Sequence, residues 1–232
     1  MRRDDPQAAA LLPSTPLIAS AHIVLAALRP LLTEERVARI DTVVGRRMRS
    51  VVPVLDALSG PHNVAAILRS ADAFGVQEVH LLEGPQDFLA SRRVTQGAER
   101  WLDVVHHANP HACVATLRAR GFQVYVATME GSITPEALCH VPRLAVVFGN
   151  EHKGVGTALT ALCDGHYTIP MQGFSQSLNV SVAAAITLYH ATRGRKPDLS
   201  DEERDELRAR FMMLSVPRAA DVVAEYVGRH GE

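Results

Sequence analysis

The sequence predicts an α/β protein, a parallel sheet covered by helices on both faces, with helical extensions at either end of the chain. Three observations predict it. Short apolar runs such as RLAVVFG (143–149) have the length and continuity of strands buried on both faces. Segments with apolar residues at helical spacing lie between these runs, so strand and helix alternate as in a sheet built from crossover units. The alternation is confined to 51–196, which leaves 1–50 and 197–232 as extensions.

Taken in order, residues 17–29 have helical character and Pro30 stops them. A second helix is predicted over 33–47, with Thr33 as N-cap and Glu35 and Arg36 behind it. VVPVLDAL (51–58) reads as a strand closed by Ser59, Gly60 and Pro61. Helical spacing returns over 62–73, with Val64, Ile67, Leu68 and Ala71 on one face. VQEVHLLE (76–83) and the stretch from Asp103 to His106 are strand candidates. In a strand the adjacent His106 and His107 would point to opposite faces. A helix over 110–120 and a strand over 121–128 precede RLAVVFG; after it come a helix near 156–163, the strand HYTIP (166–170) and a long helix from Leu178 to Arg193. The tail carries the charged helix DEERDELRARFMML (201–214) and a short final helix.

Composition sets the class. The chain has 232 residues, 47% hydrophobic and 21% charged, as expected of a globular core with short appendages. No apolar run reaches the length of a membrane span. The first residues include two arginines, but Asp4, Asp5, Pro6, Pro13 and Pro16 interrupt them, so 1–16 reads as a flexible arm and not a leader. Cys113, Cys139 and Cys163 are widely spaced and odd in number, as in packed thiols of a reducing cytoplasm. The eleven histidines form no metal-binding spacing such as HExxH, and no metal is expected. With a net charge of −1, any affinity for nucleic acid has to come from local clusters. Two are present: Arg46, Arg47 and Arg49 with Arg36 and Arg39 upstream, and Arg193, Arg195 and Lys196. Either cluster could equally be a solvated surface.

Three stretches carry candidate chemistry. In PHNVAAILRSADAFG (61–75) a loop opens a helix, with Asn63 and Arg69 six positions apart. Six helical residues turn about 600°, so the two side chains diverge by about 120°. They flank one site only if Asn63 lies in the loop or cap; otherwise Asn63 is a cap and Arg69 a surface residue. In LAVVFGNEHKGVG (144–156) a buried strand runs into Gly149, Asn150, Glu151, Gly154 and Gly156, the place where parallel sheets bind ligands. The phosphate-loop pattern fails because Gly154 is followed by Val155 and Gly156. The alternative is a glycine turn with Glu151 capping the next helix. In IPMQGFSQSLNVSVAAAI (169–186) Ser177 or Asn179 caps a helix whose free N–H groups suit a ligand's carboxylate or adenine edge, or which is simply a core helix.

In order and spacing, these stretches resemble the three motifs of the TrmH (SpoU) family of the SPOUT superfamily, over roughly 33–195. Within that family the phrases PHNVAAILRSADAFGV and SLNVSVAAAI, with the basic N-terminal helix, are most similar to the enzymes that methylate guanosine-18 of tRNA. The resemblance implies a deep C-terminal trefoil knot holding S-adenosyl-L-methionine, and a homodimer with the active site at the subunit interface. Carried over, the cofactor contacts are Phe148, Gly149, Asn150, Glu151, Gly154, Ile169, Met171, Ser177 and Leu178. The implied catalytic set is Arg69, Asn63, Glu151, Ser177 and Asn179. Asn63 and Asn179 would orient Arg69 and the ribose, Ser177 would support the ribose or phosphate, and Glu151 would organise its loop or reach across the dimer. Arg39, Arg46, Arg47, Arg49, Arg193 and Arg195 would bind tRNA phosphates.

A ribose 2′-hydroxyl is a weak nucleophile, so its proton must be removed or its developing charge stabilised. The family assigns this to the arginine matching Arg69. A guanidinium with a pKa above about 12 stays protonated, so Arg69 is expected to bind the adjacent phosphate and stabilise the alkoxide. This chain departs from the family where motif 2 reads FGNEHKGVG, in which Gly156 is expected to loosen the next helix. The competing readings are an rRNA or other tRNA ribose methyltransferase and a non-catalytic RNA-binding protein. A nucleotide-binding oxidoreductase would require GxGxxG after the first strand, where Ser59, Gly60, Pro61, His62 and Asn63 stand instead.

Overall fold

The computed structural model describes residues 17–58, 60–82, 97–150 and 153–230. The arm 1–16 and Glu151 lie outside the described residues. The chain divides into two compact units, Met48–Lys196 and a second made from Met1–Arg47 and Pro197–Glu232.

The larger unit is a parallel sheet of β1 (Val51–Asp56), β2 (Glu78–Leu82), β3 (Asp103–His107), β4 (Gln123–Ala127), β5 (Leu144–Phe148) and β6 (Gly165–Tyr167). Its spatial order among the described residues is β3-β2-β1-β5-β4-β6. In sequence the helices are α3 (Pro61–Ala73), α4 (Pro110–Ala119), the four-residue α5 (Thr157–Thr160) and α6 (Val180–Thr192). Alternate strand residues serve opposite faces. Val51, Leu55, Leu144, Val146 and Phe148 meet Ile67 and Leu68 of α3 and Ala184 and Leu188 of α6. Val52, Val54, Ala145 and Val147 meet Cys113, Val114 and Leu117 of α4 and Leu159 of α5. Both faces are therefore covered, as the continuous apolar runs predicted.

The strand order reverses between β1 and β5. From β1 the chain steps outward to β2 and β3, then returns to the other side of the sheet for β4, β5 and β6. Loops leaving the carboxyl ends of β1 and β5 consequently part in opposite directions and open a crevice, the usual ligand position in such sheets.

The second unit holds α1 (Ala21–Leu28), α2 (Glu34–Val44), α7 (Asp201–Ser215) and α8 (Ala219–His230). Thr33 caps α2, accepting from the Arg36 N–H at 3.2 Å. Ser200 and Glu203 form a reciprocal capping box on α7. The sequence read the two termini as separate extensions, but α1 packs on α7 and α8, and α2 packs on α7. Arg208 binds Asp41 at 2.6 Å, and Arg36 donates to Ser215 Oγ at 2.8 Å.

Candidate active site

The motif 2 loop is shaped by its own backbone. The N–H and C=O of Asn150 and Gly154 pair with each other at 2.9 and 2.8 Å, and Gly154 has φ +69°. A Cβ on Gly149 would stand 2.3 Å from the Val155 nitrogen, so glycine is required there by the loop's own curl. Asn150 Nδ2 donates to the Ala57 carbonyl at 2.9 Å, and Asp56 Oδ2 accepts from the Gly156 N–H at 2.8 Å. These two bonds bind the loops after β1 and β5 across the crevice. Gly156 is the N-cap of the four-residue α5, and its N–H is held by Asp56.

Motifs 1 and 3 meet at two helix starts. Asn179 caps α6, its Oδ1 accepting from the Ser181 N–H at 2.8 Å, while its Nδ2 donates to Asn63 Oδ1 at 3.1 Å. The neighbouring Ser177 is exposed and does not cap. Asn63 lies inside the first turn of α3, because Pro61 begins that helix and Gly60 caps it. The condition for Asn63 and Arg69 to flank one site is therefore unmet within this chain. Arg69 is about 9 Å further along the axis and turned about 120° away. It is exposed and lines a cleft of about 550 Å³ with Ser70, Asp72, Phe74 and Trp101.

The other predicted residues divide by burial. Phe148 is a core side chain, so only its backbone can face a ligand, while Ile169 is half-buried and packs against the core. Met171 is exposed and Leu178 half-buried. Arg39, Arg46 and Arg193 are exposed. Three basic residues of the expected RNA set have their guanidinium groups engaged within the protein. Arg47 is 1% exposed, with its guanidinium over the Phe211 ring at 5.8 Å. Arg49 binds Glu78 at 3.0 Å and Asp103 at 2.7 Å. Arg195 donates to the carbonyls of Leu138, Val141, Pro142 and Ala191 and so clasps the segment 135–140 to the end of α6.

A buried polar chain escaped the sequence reading. His80 Nε2 meets Glu78 Oε1 at 2.6 Å and His80 Nδ1 meets His107 Nε2 at 2.7 Å. The ring planes differ by 9° with centroids 4.9 Å apart, a separation equal to the N···N distance plus two ring radii, so the rings meet edge to edge. Cys113 completes a group of possible metal ligands within 4.8 Å of one another. Two imidazole nitrogens on a tetrahedral zinc stand about 3.3 Å apart when each bond is about 2.0 Å, so the observed pair is a hydrogen bond. Burial pushes the Glu78 carboxyl up, but the hydrogen bonds and charges of His80 and Arg120 outweigh it and hold the pKa at about 2. Burial, with the neighbouring His80, lowers His107. Only the i, i+2 spacing of Glu78 and His80 on one strand face hinted at this chain.

The chain belongs to the SpoU rRNA Methylase family, whose pattern matches residues 50–189. Among individual relatives, the tRNA (guanosine(18)-2′-O)-methyltransferase of Thermus thermophilus is 38% identical over 174 residues, 74% of this chain and 90% of that one. The solved A. aeolicus TrmH/SpoU tRNA modifying enzyme is similar with a TM-score of 0.71 and 30% identity, covering 80% of this chain and 98% of that one. The SpoU methyltransferase AviRb from Streptomyces viridochromogenes, solved with AdoMet, gives a TM-score of 0.57 at 27% identity over 61% of this chain and 56% of its own.

Proposed function

We propose that this protein is an S-adenosylmethionine-dependent tRNA ribose 2′-O-methyltransferase acting on guanosine-18 of the D-loop. The observation that carries the reading is the bond between Asn179 and Asn63, which joins motif 3 to motif 1 in a chain of this family. The name of the Thermus thermophilus relative supports the position and the substrate.

The residues present fit the cofactor. Among the described residues, Ile169–Leu178 take no backbone hydrogen-bond partner, which leaves donors and acceptors for an adenine edge. A Cβ on Gly154 or Gly173 would meet nothing within 4 Å. S-adenosylmethionine, when bound, supplies the methyl group from a sulfonium centre. Gly149, Asn150, Gly154 and Ile169, with Met171, Ser177 and Leu178, would hold it, and Glu151 would organise the loop. Arg69 binds the phosphate beside the target ribose and stabilises charge on the 2′-oxygen. Asn63 and Asn179 orient the ribose, and Ser177 supports it. Arg39, Arg46 and Arg193 bind tRNA phosphates.

Two further features belong to this reading. The segment after β6 threads beneath 128–134, tying the C-terminal part into a trefoil knot. Its support is close passage: Thr128 N–H donates to Tyr167 O, Thr168 N–H to Ile133 O, and a Cβ on Gly131 would stand 2.1 Å from the Tyr167 carbonyl carbon. The protein acts in the cytoplasm as a homodimer. Phe174, Val182 and Tyr189 expose apolar surface, and Arg69 is turned away from Asn63, as expected if a partner completes the site.

Nucleoside mass spectrometry on an unmodified tRNA transcript incubated with protein and S-adenosylmethionine tests the proposal. The expected product is 2′-O-methylguanosine at position 18. Arg69→Lys should lower turnover by about 10²-fold or more, the scale of losing a donor aimed at developing charge, with cofactor affinity unchanged in calorimetry. Near-normal turnover by that variant removes Arg69 from the chemistry, and a methylated ribose elsewhere corrects the target.

A further inference from the structure

We propose that the cleft on α3 beside Arg69 seats the target guanine base, stacked on Trp101 and Phe74 and read by the carboxylate of Asp72. The inference rests on the proposed reaction and names its specificity-determining residues.

The cleft's volume of about 550 Å³ lies within the range of about 300–1,000 Å³ usual for small-molecule sites. Its lining combines one cation, one carboxylate and two aromatic rings, namely Arg69, Asp72, Phe74 and Trp101. Ala66 and Ala98 form low walls between them. That set matches a nucleotide, with a guanidinium for the sugar-phosphate and aromatic faces for the base. The Phe74 ring and the Trp101 backbone are held in place. Phe74 follows the last turn of α3 and stands edge-on to Tyr189 at 5.9 Å. Trp101 ends the turn Ala98–Trp101, whose start is set by Gly97 at φ +83°, and its carbonyl accepts from Gln77 Nε2 at 3.2 Å.

Asp72 supplies the discrimination. Three residues beyond Arg69, it lies about 4.5 Å further along α3 and on a neighbouring face. Arg69 can therefore meet the ribose-phosphate while Asp72 meets the base. Of the four RNA bases, guanine alone offers two adjacent N–H donors on its Watson–Crick edge, N1–H and the 2-amino group. Those two donors match the two oxygens of one carboxylate. A carboxylate has about four lone-pair sites, so the contacts Asp72 already makes leave capacity for the base.

Trp101 is the only tryptophan among 232 residues, so indole emission, as distinct from that of the four tyrosines, reports on this cleft. Saturating unmodified tRNA should quench it, as base stacking on an indole does. The companion measurement compares kcat/KM on that transcript with kcat/KM on the same transcript carrying inosine, which lacks the 2-amino group, at the target. The intact enzyme should prefer guanosine by about tenfold or more, the scale of one lost base-edge contact. Asp72→Asn should bring the ratio to within about threefold, since an amide offers one acceptor where the carboxylate offers two. Unchanged S-adenosylmethionine affinity in calorimetry controls for folding. Unaltered Trp101 emission on saturation with a transcript that the enzyme methylates overturns the proposal, as does an unchanged guanosine-to-inosine ratio in Asp72→Asn. Failure of the intact protein to methylate any tRNA strikes the underlying reaction instead.

Discussion

Arg193 and Arg195, two residues apart in sequence, meet different surroundings. Arg193 follows α6 and is exposed, while the Arg195 guanidinium closes on four backbone carbonyls. Cations at a helix carboxyl end complement its dipole and its unpaired carbonyls, so the second arginine is taken by the fold. The two should separate in a salt titration of tRNA affinity. Arg193→Ala should reduce the slope of log K against log salt by about 0.7–0.9, one phosphate contact. Arg195→Ala should leave the slope unchanged and lower stability by about 1.5–3 kcal/mol, the range for hydrogen bonds to a charged group. Equal slopes for both variants would contradict the assignment of Arg193. The basic run at 46–49 shows the same division, since a count of arginines does not reveal that Arg47 lies over Phe211 or that Arg49 is held by Glu78 and Asp103.

Strands β2 and β3 carry a polar seam on the face covered by α4. Parallel pairing sets Glu78 beside Asp103 and Leu82 beside His107, and the two-residue period puts His80 on the same face. Glu78 collects Arg49, Arg120 and His80, and its carboxylate shares Arg49 with Asp103. Removing one partner of a buried ionic group leaves the others uncompensated. Glu78→Gln should therefore cost about 3–5 kcal/mol, read as a shift of the denaturant midpoint, with no change in the guanosine-to-inosine ratio because this seam is not part of the proposed guanine cleft. A variant as stable as the parent would show that the seam is dispensable. The α6 start is the other element-scale device, since one side chain, Asn179, both caps the helix and binds Asn63 of α3.

For the whole molecule, the same seam contributes to the response to acid. His107 has a folded pKa below 6.5, so the unfolded chain takes up that proton first. Its contribution is complete above pH 6.5 and is lost as pH falls toward the folded value. Glu78, ordinarily near 4.5, is held at about 2, so its contribution is complete above pH 4.5 and is lost between 4.5 and 2. The thermal midpoint should thus decline below pH 6.5 and decline again below pH 4.5. A flat profile from pH 7 to 5 would mean that His107 is not held neutral by burial.

Local chemistry made much of this legible. The alternation of apolar runs and helical spacing predicted a parallel sheet with both faces covered, because each strand's burial is written in its own residues. Thr33 announced the start of α2, and the three motif phrases carried the family. Strand order, the Asn63–Asn179 bond and the placement of Arg69 in a separate cleft depend on residues far apart in sequence. So does the gathering of both chain ends into one helical unit, and so does the fate of each arginine. Those contacts arise only when distant segments are brought together, and which groups are buried together is settled by packing across the fold and not by spacing along the chain.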